Sequence, residues 1–417
     1  VKMSALWPGS RAKSDIAISN VGPWRPVQII QIDIDAHSDI APPSTSSGDR
    51  VWIEAVRQGQ VVGVLDTRVD DGWPPSDLGD LSARFSEVPL SSYVTVSDDR
   101  LSKASIVVPT ICENPDELLR TVRSLLALDY PDFEILVVDN RSSDEGTPLP
   151  EFFDTRVRTV SERTRGASAA RNRGIAISTG EFVAFTDDDA VVDEKWLRVI
   201  GARFAVSEEV EAIGGLVLPM ELETAAQLWF EEYYGGFSPS FSASIMSLKS
   251  MAHLSPLFPY APGVFGAGCN MAFRRTTLQR MGGFNTFLGP GTPSKGGEDP
   301  ALFVKLALSG ASLAFEPAAL VRHTHRHSRR EFMTQVFGYG TGLTAMYTAL
   351  VAKDPAQLLA ILRRLPAGLR LLTLDKNERS SSRSPSYPRH TIVFQLLGMA
   401  YGPVAYARSV AQHRWHR

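Results

Sequence analysis

The chain has 417 residues, 43% of them hydrophobic and 21% charged, which is enough to bury a large core and more than one average domain needs. A formal net charge of -3 gives no reason to expect a nucleic-acid partner. Cys112 and Cys269 are the only cysteines and lie far apart, which argues against a disulfide framework and for a reducing, cytoplasmic compartment.

Residues 1–25 are broken by Pro8, charges and Pro23 and do not read as a secretory leader. Residues 27–34 (VQIIQIDI) and 51–69 (VWIEAVRQGQVVGVLDTRV) are β-branched with partial alternation and flank a Pro/Ser/Gly stretch, so residues 1–100 are expected to form a small β-rich accessory module and a linker. From Ala104 the texture becomes strand, turn, helix, strand. Residues 105–108 (SIVV) predict a buried parallel strand. Asn114 and Pro115 then open a helix whose apolar positions 118, 119, 122, 125 and 126 share a face, and residues 133–138 (FEILVV) give the next strand. A strand at 157–160, a helix at 166–178 and a strand at 181–185 repeat the pattern. The predicted fold class is therefore α/β, a mostly parallel sheet flanked by helices.

Ligands of such sheets sit outside the carboxyl ends of the strands, where Thr110, Asp139 and the triplet Asp187, Asp188 and Asp189 fall. An acid at a strand end is commonly a turn former or helix cap, but three polar strand ends converge here. Three consecutive carboxylates repel unless a cation neutralises them, and hard divalent ions favour oxygen ligands. Mg2+ or Mn2+ held there would leave positions open for phosphate oxygens; a solvated loop or a cap for the helix near Asp193 is the plainer reading. Arg165 and Gly166 precede a small-residue helix carrying Arg171 and Asn172, an arrangement that suits a diphosphate and equally a surface helix. Downstream, Gly296-Gly297 deliver Glu298 and Asp299 to a helix start. The pair is either a cap or the source of a general base, with Asp299 favoured. His323, His325 and His327 alternate, and on a strand all three would face one side, either to complete a carboxylate-rich metal site or to form a cationic surface.

The apolar stretches 333–351 and 391–410 are each about long enough to cross a bilayer but are interrupted by glycines, polar residues or Pro403, and predict amphipathic or peripheral helices. From Ile361 onward ten Arg and Lys stand against two acids. A basic tail on an acidic body suits either an anionic membrane surface or plain solvation.

Taken together, the run 105–138, Asp139, Arg165-Gly166, Ala170-Arg171-Asn172, the block from Gly180 to Asp189 and Glu298-Asp299 resemble an inverting family-2 glycosyltransferase of the GT-A, Rossmann-like fold. The likeness spans residues 103–330. It implies a catalytic domain over 101–330 and leaves 331–417 as a helical, basic C-terminal extension, of a kind found in bacterial members that work at the inner face of the cell membrane. It further implies a nucleotide-diphosphate sugar donor, a hydroxyl-bearing acceptor and a divalent cation. By resemblance Thr110, Cys112, Glu113 and Asp139 line the nucleotide pocket, and Arg165, Gly166 and Asn172 face the donor. Asp187 and Asp189 are the outer members of an Asp-x-Asp motif with Asp188 between them. Asp299 is the base with Glu298 beside it, and His323 or His325 lies near the metal. Residues 261–273 (APGVFGAGCNMAF) look like the acceptor-side wall, with Gly268 and Asn270 meeting sugar; packing around Cys269 is the alternative. A sugar nucleotidyltransferase would carry a Gly-rich loop and a Lys after the first strand, where this chain has PTICENP. A non-catalytic glycan-binding or scaffold protein would have no need of Asp187, Asp189 and Asp299.

Overall fold

A computed structural model describes residues 12–13, 24–35, 48–69, 83–90, 96–142, 148–237, 240–251, 255–261, 263, 265–368, 387–388 and 390–415. The readings for residues 1–11, for most of the linker at 70–100 and for the basic stretch 369–386 lie outside these.

Two sheets organise the chain. In the first, β1 (Gln28–Asp33) runs parallel to β2 (Arg50–Arg57), and β2 turns back into β3 (Gln60–Arg68) through Gln58 and Gly59, both at positive φ, the backbone a tight hairpin requires. Ala12–Lys13 pairs with the other edge of β3. Trp52, Ile53, Val62, Val64 and Leu65 are buried, and the cluster they form includes Leu216, Leu218, Leu222, Leu228 and Phe241 from beyond residue 210. Glu54, fully buried, is held by Arg322 at 2.6 Å, and Arg50 reaches Glu232 at 2.9 Å. The first sheet thus shares a core with residues beyond 210.

The second sheet begins with β4 (Ala104–Thr110), α1 (Pro115–Leu126), β5 (Phe133–Asp139), β6 (Val157–Ser161), α2 (Ala167–Ile177) and β7 (Phe182–Phe185). Asn114 caps α1 by accepting from the Asp116 N–H at 3.2 Å, and Leu118, Val122 and Leu125 are buried, as the apolar spacing requires. These strands pair in parallel in the order β7-β4-β5-β6, with α1 between β4 and β5 and α2 between β6 and β7. Beyond them come β8 (Ala190–Val192), α3 (Trp196–Val206), β9 (Val210–Pro219), α4 (Ala225–Tyr234), β10 (Ser244–Met246), β11 (Met271–Arg274), α5 (Arg275–Met281), α6 (Glu298–Leu308) and β12 (Ser312–His323). The full order is β10-β12-β9-β11-β7-β4-β5-β6, with β8 paired to β12. The parallel half follows the sequence pattern. The other half is mixed, because β11 enters antiparallel between β7 and β9, while β9 and β12 stay parallel to each other.

Two long helices, α7 (Arg329–Lys353) and α9 (Thr391–Trp415), follow, with the short α8 (Ala356–Leu362) between them. They pack at glycine contact. A Cβ on Gly398 would fall 2.1 Å from Phe337 O, and one on Gly342 would fall 2.7 Å from Gly296 C, so α7 stands against the backbone that precedes Glu298. Ser294 and Ser409 hydroxyls meet at 3.2 Å, tying α9 to the same loop. Among the described residues no helix is long and apolar enough to cross a membrane.

Candidate active site

Register builds the site. β11 pairs antiparallel with β7, Met271 opposite Phe185, and continuing that register beyond the strands places Cys269 opposite Asp187. β8 pairs antiparallel with the end of β12, His323 opposite Ala190, and the next residue along confirms it, since the Thr324 N–H donates to Asp189 O at 3.1 Å. The acidic triplet therefore meets residues from two other stretches. Donor atoms of Asp187, Cys269 and His323 all lie within 4.8 Å of one another.

Each acid of the triplet has a different setting. Asp189 faces His323, whose Nε2 lies 3.2 Å from Oδ1; burial would raise this carboxyl, but the imidazole outweighs it and holds it below the usual range. Burial works against charge on His323, yet Asp189 and then Asp187 raise its basicity. Asp188 turns back to the Thr110 hydroxyl at 2.5 Å. Burial first, then the charge of Asp189, pushes it up to about 7. Asp187 remains partly exposed and accepts from Arg171 Nη2 at 3.1 Å.

Arg171 is the centre of the arrangement. Its side chain is 4% exposed, and its Nη1 donates to Glu298 Oε1 at 2.7 Å while Nη2 holds Asp187. Gly268 lies against the same guanidinium: a Cβ there would be 3.1 Å from Arg171 Nη2 and 3.2 Å from Asp299 Oδ2. Asp187 and Asp299, more than a hundred residues apart in sequence, thus converge on Arg171 and Gly268. Burial, then the charge of Glu298, raises the Asp299 carboxyl well above its ordinary range, with Arg171 pulling the other way.

The strand ends of the parallel half form the neighbouring wall. Thr110 pairs with Asp139 across β4 and β5, and the Thr110 hydroxyl accepts from Cys112 N at 2.8 Å. Cys112 is buried and in the left-handed backbone region, while Glu113 is exposed. Asp139 is buried against Arg141, which donates to both of its oxygens at 2.9 Å. Asn140 joins this wall to the next loop, accepting from Gly166 N and donating to Glu162 O and Thr164 O, each at 2.8 Å. Gly166, at φ 131, opens α2, and Arg165 beside it is exposed.

Three sequence expectations are corrected. Asn172 does not face a ligand: its side chain accepts from Phe284 N at 2.8 Å and donates to Phe284 O at 2.9 Å, holding the turn after Gly283. Asn270 is fully buried, accepting from Trp196 Nε1 and donating to Leu216 O and Ala319 O, so it ties α3 to β9 and β12 and leaves no group for sugar. The histidine alternation holds only in part: β12 ends at His323, and although the His323 and His325 rings lie 6.0 Å apart and both pack on Phe237, only His323 joins the acidic triplet. His325 turns to Glu231 at 2.8 Å under Phe230 and Phe237, and exposed His327 lies 3.8 Å from Glu221. Conversely, Arg171 reads in sequence only as part of a diphosphate-facing helix, and nothing local marks its ties to Glu298 and Asp187 or the place of Cys269 beside Asp187, because those partners come from other stretches of the chain.

A divalent cation fits this donor set. His323 is 7% exposed, its Nε2 faces Asp189, and its Nδ1 has no hydrogen-bond partner, an expensive state for a buried nitrogen that a ligand would relieve.

Comparison with known proteins bears on what such a site belongs to. A family model described as glycosyl transferase family group 2 matches residues 182–399, over half of the chain, and one described as glycosyl transferase family 2 matches residues 105–224. The chain belongs to glycosyltransferase family 2. Both models run through the acidic triplet, and the first also covers Asp299 and His323. This family-2 chain is 25% identical over 244 residues to a glucosyl-dolichyl phosphate glucuronosyltransferase of Haloferax volcanii, covering 56% of this chain and 73% of that protein. It is 26% identical over 243 residues to a pre-mycofactocin glycosyltransferase of Mycobacterium tuberculosis, covering 57% of this chain but only 46% of that protein. Among solved structures it is similar to a mannosyltransferase from Pyrobaculum calidifontis in complex with GDP-Man and Mn2+, at 18% identity and TM-score 0.46, covering 81% of this chain and 93% of the other.

Proposed function

We propose that this family-2 chain is a divalent-cation-dependent, inverting hexosyltransferase that moves a sugar from a nucleotide-diphosphate donor to the hydroxyl of a glycan, lipid-linked or small-molecule acceptor. The observation that carries the reading is the convergence of Asp187 and Asp299 on Arg171 and Gly268. A single displacement needs one base and one means of stabilising the leaving group, and both kinds of group meet here. Asp299 takes the proton of the acceptor hydroxyl as its oxygen bonds to the anomeric carbon. Glu298 acts through Arg171, which it fixes between the two acids. Asp187, Asp189 and His323 would hold Mg2+ or Mn2+, which when bound neutralises charge gathering on the departing diphosphate. Thr110, Cys112, Glu113 and Asp139 lie where the nucleotide would be read, with Arg165 and Gly166 toward its phosphates and Gly268 on the acceptor side. Changing Asp299→Asn is expected to lower transfer by about 10²–10⁴-fold while calorimetry shows nucleotide affinity intact. Equal transfer by variant and parent refutes the assignment.

The reading also places the chain peripherally at the cytoplasmic face of an anionic bilayer. Nine of the fourteen exposed large apolar side chains among the described residues lie between Leu358 and Val404, including Leu359, Leu362, Phe394 and Leu397. The sequence from Ile361 onward supplies the excess of positive charge that complements anionic headgroups. Co-sedimentation with phosphatidylglycerol vesicles is expected, weakening with salt and in a Leu359→Ser/Leu397→Ser double variant. Absence of binding to these vesicles contradicts it.

A further inference from the structure

Beside Asp299 stands a group of aromatic side chains that the proposed mechanism leaves idle. A buried cluster that includes Phe230, Tyr233, Phe332 and Val336 joins α4 to α7, and Tyr234, Phe237 and Tyr339 lie at its margin, each only partly buried. These three border the site from end to end. Phe237 packs edge-on against His323, with ring centroids 5.2 Å apart. Tyr339 sits on α7 between Gly338 and Gly342, the residues that abut Lys295, Gly296 and Gly297 just before Glu298 and Asp299, and the charge of Asp299 reaches its phenol. Tyr234 lies edge-on to Tyr339, centroids again 5.2 Å apart. The buried pair of Glu231 and His325, at 2.8 Å, fixes α4 one turn before Tyr234.

Packing alone does not account for this set. The Tyr234 hydroxyl is buried with no hydrogen-bond partner among the described residues, a costly state that a hydroxyl of a ligand would relieve. The Tyr339 oxygen accepts from Gln335 Nε2 at 3.0 Å, which leaves its own proton to donate. Aromatic faces with polar tips suit a ligand that is apolar on its faces and polar at its edge. A pyranose is such a ligand, with C–H groups on its faces and hydroxyls around its rim. A plain acyl or prenyl chain would cover the rings and still leave the Tyr234 hydroxyl unpaired. We propose that Tyr234, Phe237 and Tyr339 form the acceptor subsite and that its ligand is a pyranose, so that the acceptor is a sugar unit and not a bare lipid or a simple alcohol. Tyr339 is the stacking platform and Tyr234 bonds a ring hydroxyl. The inference rests on the proposed function for Asp299 as the base, and goes beyond it in naming the acceptor class and the side chains that select it.

The test is saturation-transfer NMR on the full chain with Mn2+ and UDP or GDP, using methyl glucopyranosides, mannopyranosides and galactopyranosides as probes. At least one pyranoside is expected to take up saturation at its ring C–H protons, and n-octanol is expected not to displace it. The signal is expected to vanish in Tyr339→Ala and to persist in Tyr339→Phe, which keeps the ring. Tyr234→Phe is expected to weaken pyranoside binding by about 3–10-fold without lowering the melting temperature, because the hydroxyl it removes has no partner to lose. A purely structural tyrosine would give the same melting behaviour with binding untouched. Saturation of no pyranoside, displacement by n-octanol, or parent-like binding in both Tyr234→Phe and Tyr339→Ala overturns the proposal. Mn2+-dependent nucleotide binding by the unaltered chain, followed by calorimetry, reads the proposed function separately. Its absence counts against that function alone, and its presence without pyranoside binding counts against the subsite alone.

Discussion

Arg171 joins more of the site than either acid it touches, and the reason lies in charge burial. A guanidinium 4% exposed is tolerable only with partners, and its two-pronged shape lets it hold Glu298 and Asp187 at once. Asn270 shows the same economy in a neutral side chain, with its amide bonded to Trp196, Leu216 and Ala319. Changing Asn270→Ala strands an indole N–H and two carbonyls, so a loss of about 2–4 kcal/mol is expected in denaturant unfolding. Unchanged stability contradicts its structural assignment. Sequence made Asp187 and Asp299 legible because each follows a local signal, a buried strand or a glycine pair before a helix. Nothing local marks Cys269 as a neighbour of Asp187, which follows from an antiparallel register with a strand some ninety residues upstream, or Asn270 as a brace, whose partners sit on α3, β9 and β12.

At the scale of elements, the parallel units were readable because their strands are continuous apolar runs and their helices carry one apolar face. β11 was not, because four residues between a glycine-rich loop and the start of α5 carry too short a pattern to announce a direction. The end of β12 misled in another way: His323 and His325 still share a side against Phe237, but the strand stops at His323, so the two imidazoles reach different carboxylates, Asp189 and Glu231. Gly296 and Gly297 read in sequence as a flexible loop, yet Gly297 at φ 89 packs where a Cβ would be 2.4 Å from Gly342 O. α7 therefore presses directly on the loop that aims Asp299. Changing Gly342→Ala is expected to displace that loop, costing about 1–3 kcal/mol and lowering transfer more than nucleotide affinity. A variant with the parent's melting temperature and rate contradicts this coupling.

Across the whole molecule, segments that look like appendages in sequence prove to be supports. The first sheet shares its core with β9 and α4 and is pinned by the Glu54–Arg322 pair one residue from His323. The C-terminal helices brace the loop before Glu298 while leaving an apolar face outward. Such contacts depend on long-range packing, which composition and periodicity cannot encode. The central claim is that acids brought from distant stretches form one cation-dependent site for a nucleotide sugar. A melting-temperature screen of nucleotide sugars with and without Mn2+ tests it most directly, because a ligand that binds only the folded chain stabilises it, by about 2.7 kcal/mol at a hundred times its Kd. At least one nucleotide sugar is expected to raise the melting temperature with Mn2+, the shift disappearing with chelator and in Asp187→Asn. No shift with any of them, or a shift indifferent to chelator, would contradict it.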